Sequence, residues 1–111
     1  MAEELKNRYS DEELAEFKTI IEEMLSKAKA EYNTYRELAR SGGANDVASQ
    51  LAQRQYKFIQ NLEAALVRIE NKTYGVCRVT GKLIPKERLR LVPHATLTVE
   101  AKEMLAKQGK N

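Results

Sequence analysis

Ser41-Gly42-Gly43-Ala44-Asn45-Asp46 decides the fold, because it separates two runs that each carry a helical seam. Two adjacent glycines followed by Asn and Asp stop a helix and reverse the chain, and Asn45 or Asp46 can cap the helix that follows. Before this break, Leu14, Phe17, Ile21, Met24, Ala28, Tyr35 and Leu38 recur in steps of three and four, with Glu31 in one seam position. After it, Leu51, Gln55, Phe58, Leu62, Ala65 and Ile69 do the same, widened by Ile59 and Leu66. Heptad spacing on both sides of a short turn predicts two helices packed antiparallel, one from about Asp11 to Arg40 and one that follows a cap at Asn45 or Asp46 and ends around Glu70-Asn71-Lys72. At 1.5 Å per residue each arm measures about 40 to 45 Å.

Working outward, Ser10-Asp11-Glu12-Glu13 reads as a helix start: Ser10 can cap the first amides, Glu13 can complete a capping box, and Asp11 and Glu12 suit the positive end of the helix dipole. The seam is graded. Phe17, Ile20, Ile21, Met24 and Leu25 are expected to face Phe58, Ile59, Leu62, Leu66 and Ile69 near the base, whereas Glu31, Tyr32, Arg54 and Gln55 lie toward the tip.

Beyond Asn71-Lys72 the composition changes to short apolar alternation with two glycines and a proline, from Thr73 to Pro85. That pattern predicts a tight knuckle and a small β-hairpin. Thr98 can cap a last helix over Val99 to Ala106, and Lys107 to Asn111 read as a frayed end. The expected organisation is therefore a hairpin unit, residues 1–72 with its tip at 41–47, and a small C-terminal unit, residues 73–111. The C-terminal core is expected from Tyr74, Val76, Leu83, Ile84, Leu89, Leu91, Leu97 and Val99.

Composition narrows the function. In 111 residues, 32% are charged and Trp is absent, which suits long amphipathic helices better than a deep spherical core. Residues 1–35 hold nine acids against five bases and residues 78–111 hold eight bases against three acids, a polarity that can steer the chain onto an acidic partner but does not decide function. One cysteine excludes an internal disulfide. No run approaches the roughly 18 apolar residues of a membrane span, and the first residues lack a secretory pattern, so a cytoplasmic protein with no membrane contact is expected. His94 stands without a nucleophile or carboxylate at useful spacing and no phosphate-cradling loop is visible, so an enzyme is not expected.

A ribbon that binds zinc places two C-x-x-C knuckles about 15 to 20 residues apart, each aiming two thiolates at one tetrahedral metal. Here the knuckle shape survives at Cys77-Arg78-Val79-Thr80-Gly81, and seventeen residues separate Thr80 from Thr98, with Ala101 three further on. Of the four corners Cys77, Thr80, Thr98 and Ala101, only the first is a thiol, and His94 is the sole other soft ligand. On this ground the expectation is a degenerate zinc-ribbon-like unit without zinc.

Tyr74-Gly75-Val76-Cys77, Thr80-Gly81-Lys82-Leu83-Ile84 and the stretch Arg88-Leu89-Arg90-Leu91-Val92-Pro93-His94-Ala95-Thr96-Leu97 resemble the zinc-finger region of the DksA/TraR transcription factors. Tyr9 to Phe17 and Leu62 to Glu70 resemble the start and the returning arm of that family's coiled coil. The likeness implies a bacterial regulator, expected as a monomer, that binds RNA polymerase directly and inserts its hairpin tip into the secondary channel. It implies no sequence-specific DNA binding, and no helix-turn-helix or Arg-rich arm is present. Of the family's tip pattern, Asp-x-x-Asp-x-Ala, the chain offers Asp46-Val47-Ala48, with Gly43 where the first aspartate would stand. The family also forms a site for the alarmone ppGpp at its polymerase interface. By position Arg54 and Lys102 match it, and Arg88 is a further candidate contact, while Asn61 and Val92 stand where other bases would be. Two alternatives from other classes are an interaction module that engages a different partner or only competes for the channel, and nucleic-acid binding through Arg78, Lys82, Lys86, Arg88 and Arg90.

Overall fold

The computed structural model describes residues 8–41 and 46–109. The turn at 42–45, and with it Gly43 and the capping role of Asn45, lies outside the described residues, as do residues 1–7, Lys110 and Asn111. Four helices are described: α1 (Asp11–Ser41), α2 (Asp46–Glu70), α3 (Lys86–Leu91) and α4 (Val99–Gly109). The molecule is elongated, about 60 × 40 × 20 Å. Among these helices only α1 and α2 pack along one another. Cross-arm partners rise in number on one arm as they fall on the other: Asp11 with Lys72, Lys18 with Glu70, Lys29 with Glu63, and Glu31 with Gln55. That register is antiparallel.

The start of α1 follows the expected chemistry. Glu13 N–H donates to Ser10 Oγ at 3.1 Å and Ser10 N–H donates to Glu13 Oε1 at 2.9 Å, a reciprocal capping box. The end of α2 closes on a left-handed residue, Lys72 at φ 64°, with Lys72 N–H on Ile69 O and Thr73 N–H on Arg68 O. Glycine is the usual residue there.

Leu14, Phe17, Ile21 and Ala28 are buried on α1, and Ala48, Ala52, Ile59, Leu62, Ala65 and Ile69 on α2. The phase of α2 differs from the expected seam in its upper half, where Ala52 and Ile59 are buried and Leu51 and Phe58 are only half-buried. Small side chains let the two backbones approach, and Phe58 is turned toward the C-terminal segment instead, meeting the His94 ring edge-on at 5.5 Å. Leu38, expected in the α1 seam, is about half exposed. Glu31 keeps its seam role by accepting a hydrogen bond from Gln55 Nε2 at 3.0 Å.

The segment after α2 has no continuous strand among its described residues. A single antiparallel bridge, Val76 with Leu83, replaces the expected β-hairpin. The pairing cannot extend because Pro85 has no N–H, and because Arg78 N–H is taken by Thr96 O at 3.0 Å. Pro85 instead opens α3, a helix the sequence reading did not anticipate, with Leu89 N–H returning to Pro85 O. Tyr74, Cys77, Ile84, Leu89, Ala95 and Ala101 form the buried centre of this module. Leu91 and Val99, both expected in that core, lie outside it at 82% and 47% exposure. Each stands two residues from an inward-facing helical neighbour, Leu89 or Ala101, and at about 100° per residue that places it on the opposite face.

Candidate functional site: the arm end and the knuckle module

Asp46 is the first residue of α2 and is exposed, so its carboxylate stands at the free end of the hairpin where the helix dipole favours an anion. Ala48, two residues further on, is buried. Arg54 lies exposed on α2 and Lys102 exposed on α4, two helices that do not pack together, so the chain by itself does not bring these cations into one site. Arg88 is half-buried, and its Nε donates to Leu97 O at 3.0 Å, which ties α3 to the segment leading into α4.

The four knuckle corners do converge. Gly81, at φ 75°, turns the chain so that its N–H reaches Cys77 O at 2.8 Å. Thr80 N–H points at Cys77 Sγ at 3.5 Å, and Thr98 Oγ1 lies 3.9 Å from the same sulfur. Thr98 Oγ1 also accepts Ala101 N–H at 3.1 Å, the expected cap of α4. Cys77 is almost fully buried. Burial pushes its thiol up, but the hydrogen bonds from Thr80, Thr98 and Val79 together outweigh that and bring the Cys77 pKa down to about 6.

Where the module meets the hairpin, the side chains come from distant parts of the sequence. Tyr74 OH donates to Pro93 O at 2.8 Å, and its ring tilts onto Phe17 at 5.3 Å. Burial raises the Tyr74 pKa well above the usual phenol range. Arg68 on α2 donates to His94 O at 3.4 Å. His94 Nδ1 is buried with no hydrogen-bond partner among the described residues, and burial first, then the Arg68 charge, lowers its pKa below the ordinary histidine value. Lys86 at the start of α3 reaches Glu13 Oε2 at 2.6 Å, which holds the Glu13 carboxyl below its usual range. Tyr9, ahead of α1, is buried in the module and its hydroxyl donates to Ile84 O. Phe17, Tyr74 and Glu13 were read from the sequence as seam, core and cap residues, but their meeting at this junction was not. Tyr9 and Ile84 stand 75 positions apart and no local pattern links them.

Comparison with known proteins sharpens what the module is. Residues 72–103 match the model of the prokaryotic dksA/traR C4-type zinc finger. The expectation that this ribbon-like module works without zinc is corrected by this match, since a C4-type finger is a zinc-binding plan. The side chains present do not make a four-thiolate set: Cys77 supplies one sulfur, Thr80 and Thr98 supply hydroxyls and Ala101 supplies no donor. No cluster of three or more His, Cys, Asp or Glu side chains occurs among the described residues.

The RNA polymerase-binding transcription factor DksA of Caulobacter vibrioides is 38% identical over 84 residues, covering 73% of this chain and 59% of that protein. The chain thus spans about three-fifths or less of the length of the curated relatives it matches. Solved structures are covered more fully. Transcription factor DksA2 from Pseudomonas aeruginosa superposes with a TM-score of 0.72 at 30% identity, over 88% of this chain and 86% of that one. The RNA polymerase binding protein and transcriptional regulator Dks from Chlamydia trachomatis does so with a TM-score of 0.58 at 33% identity, over 89% and 93%. A hairpin and knuckle arranged alike over nearly the whole length, on a sequence a third identical, place this chain in the DksA/TraR family.

Proposed function

We propose that the chain is a transcription regulator that binds RNA polymerase and acts without catalysis of its own. It inserts the far end of its hairpin into the polymerase secondary channel and holds the enzyme's surface with the knuckle module. The observation that carries this reading is the shape: two helices packed on each other alone, ending in an exposed carboxylate far from the module, in a family whose solved members have the same outline. In this reading residues 1–72 form the probe with its tip at 41–47, and residues 73–111 form the grip. Asp46, supported by Ala48, faces the polymerase active centre, where a carboxylate can act on a hard divalent cation. Arg54, Lys102 and Arg88 contact polymerase or ppGpp at the interface. Because α2 and α4 do not pack together, the polymerase must complete any such site.

Asp46→Asn tests the tip. It keeps the size and the capping ability of the side chain and removes the charge. Helix content by circular dichroism and polymerase affinity should stay within about twofold of wild type, while the effect on transcription in a purified initiation assay falls by about tenfold or more. Full activity of the variant would refute the role of Asp46 and favour a second reading, in which the chain only competes for the channel. One sequence feature supports that second reading: Gly43 stands where the family's first tip aspartate would be.

A further inference from the structure

We infer that Tyr9 is a positioning residue, a clasp that fixes the angle between hairpin and knuckle module and so lets the two engage one partner together. The partner half of this inference rests on the polymerase reading above; the clasp itself does not. Tyr9 lies outside all four helices, yet it is buried to 6% exposure by residues from both halves of the chain. Its ring meets Phe17 of α1 edge-on at 5.8 Å, and Phe17 in turn meets Tyr74, so three aromatic rings run from the hairpin base into the module. Its hydroxyl donates to Ile84 O, next to Pro85 and the start of α3.

The fit is close enough to dictate a neighbour. A Cβ on Gly75 would stand 2.6 and 2.7 Å from Tyr9 Cε2 and Cδ2, and Gly75 adopts φ 79°, so this position takes glycine for both space and conformation. Gly75 O accepts Ile84 N–H at 2.7 Å, so the ring rests on the bond that closes the knuckle.

Two contacts independent of Tyr9 also span the junction, the Phe17 and Tyr74 rings and the Arg68 hydrogen bond to His94 O. Neither α3 nor α4 packs along an arm, so the module joins the hairpin through the backbone bonds after α2 and through the side chains clustered at the arm base. The ion pairs nearby, Lys86 with Glu13 and Asp11 with Lys72 and Arg8, are partly or fully exposed and contribute little each. Phe58 against His94 is the remaining ring contact, on α2. Removing the Tyr9 ring should therefore loosen the module without melting the arms.

The test uses the full chain carrying Tyr9→Ala, with Tyr9→Phe as the variant that loses the hydroxyl alone. Amide exchange is read at Ile84 for the module and at Ile21 and Leu62 for the arms, and binding is read with RNA polymerase holoenzyme. For Tyr9→Ala, exchange at Ile84 should speed by about tenfold or more while Ile21 and Leu62 stay within about twofold. The concentration giving half-maximal effect on transcription should rise about tenfold with the plateau retained, because the tip is intact. Tyr9→Phe should fall between the two. Unchanged exchange at Ile84 would dismiss the clasp, and equal acceleration at all three amides would show that Tyr9 supports the whole fold rather than the angle. Faster exchange at Ile84 with unchanged polymerase affinity would remove the positioning role. If the wild-type chain fails to bind polymerase, the polymerase reading and the partner half fall together, and the exchange data alone decide the clasp.

Discussion

Thr98 shows how much one side chain carries in this module. Its hydroxyl accepts the Ala101 amide, faces the Cys77 sulfur and is itself buried, so it caps α4 and joins the two ends of the knuckle at once. Thr98→Val keeps the shape and removes both hydrogen bonds, leaving a buried N–H without a partner. It should lower stability by about 1 to 2 kcal/mol in urea unfolding, whereas Thr98→Ser, which keeps the hydroxyl, should cost less. Equal losses from both variants would mean that the methyl group, not the hydroxyl, matters. His94 carries the pH dependence. Its folded pKa lies below the ordinary value of 6.5, so the folded state favours the neutral ring. The stability it contributes is complete above 6.5 and declines as the pH drops below that value toward the folded pKa. Cys77, with a folded value of about 6 against about 8.5 when unfolded, loses its contribution over the range between those two values, in the same sense. Comparing wild type with His94→Gln isolates the histidine: between pH 6.5 and 5 the wild type should lose stability faster than the variant. Parallel curves would show that His94 titrates freely.

On the scale of an element, the hairpin is held by a seam that narrows away from the base. Ile21, Leu62 and Ala65 have no exposed surface. Ala65→Leu adds three carbon atoms where the arms touch and should destabilise by about 1 to 3 kcal/mol, read as a lower urea midpoint. An unchanged midpoint would mean that the arms can separate there at no cost. The helices themselves were legible in the sequence, because the capping box at Ser10 and Glu13 and the glycine-rich break at 42–43 are local signals of start and stop. The phase of α2 was only half legible. Heptad spacing favours the larger Leu51 and Phe58, but which face turns inward depends on how closely α1 approaches and on where Phe58 finds a ring, and His94 lies 36 positions away. Helix α3 was missed because its six residues are too few to show a period, although Pro85 before Lys86-Glu87 is a start signal. The corners at Cys77, Thr80, Thr98 and Ala101 were legible because their spacing is fixed by the knuckle. The clasp at Tyr9 was not, since nothing near Tyr9 in sequence points to Gly75 or Ile84.

At the scale of the whole molecule, a chain of this size extended over about 60 Å cannot be explained by the needs of a core alone. Most of the upper arms is exposed, the charged ends of the sequence differ in sign, and the module is fixed at the base rather than folded over the arms. Such a body suits a protein that reaches into a cavity while holding on outside it. Electron cryo-microscopy of the chain bound to RNA polymerase addresses this directly. Insertion requires density for α1 and α2 within the secondary channel, with Asp46 as the deepest described residue and the knuckle module at the channel mouth. A complex in which the hairpin lies on the outer surface, or in which the module enters and the arms stay in solvent, would contradict it.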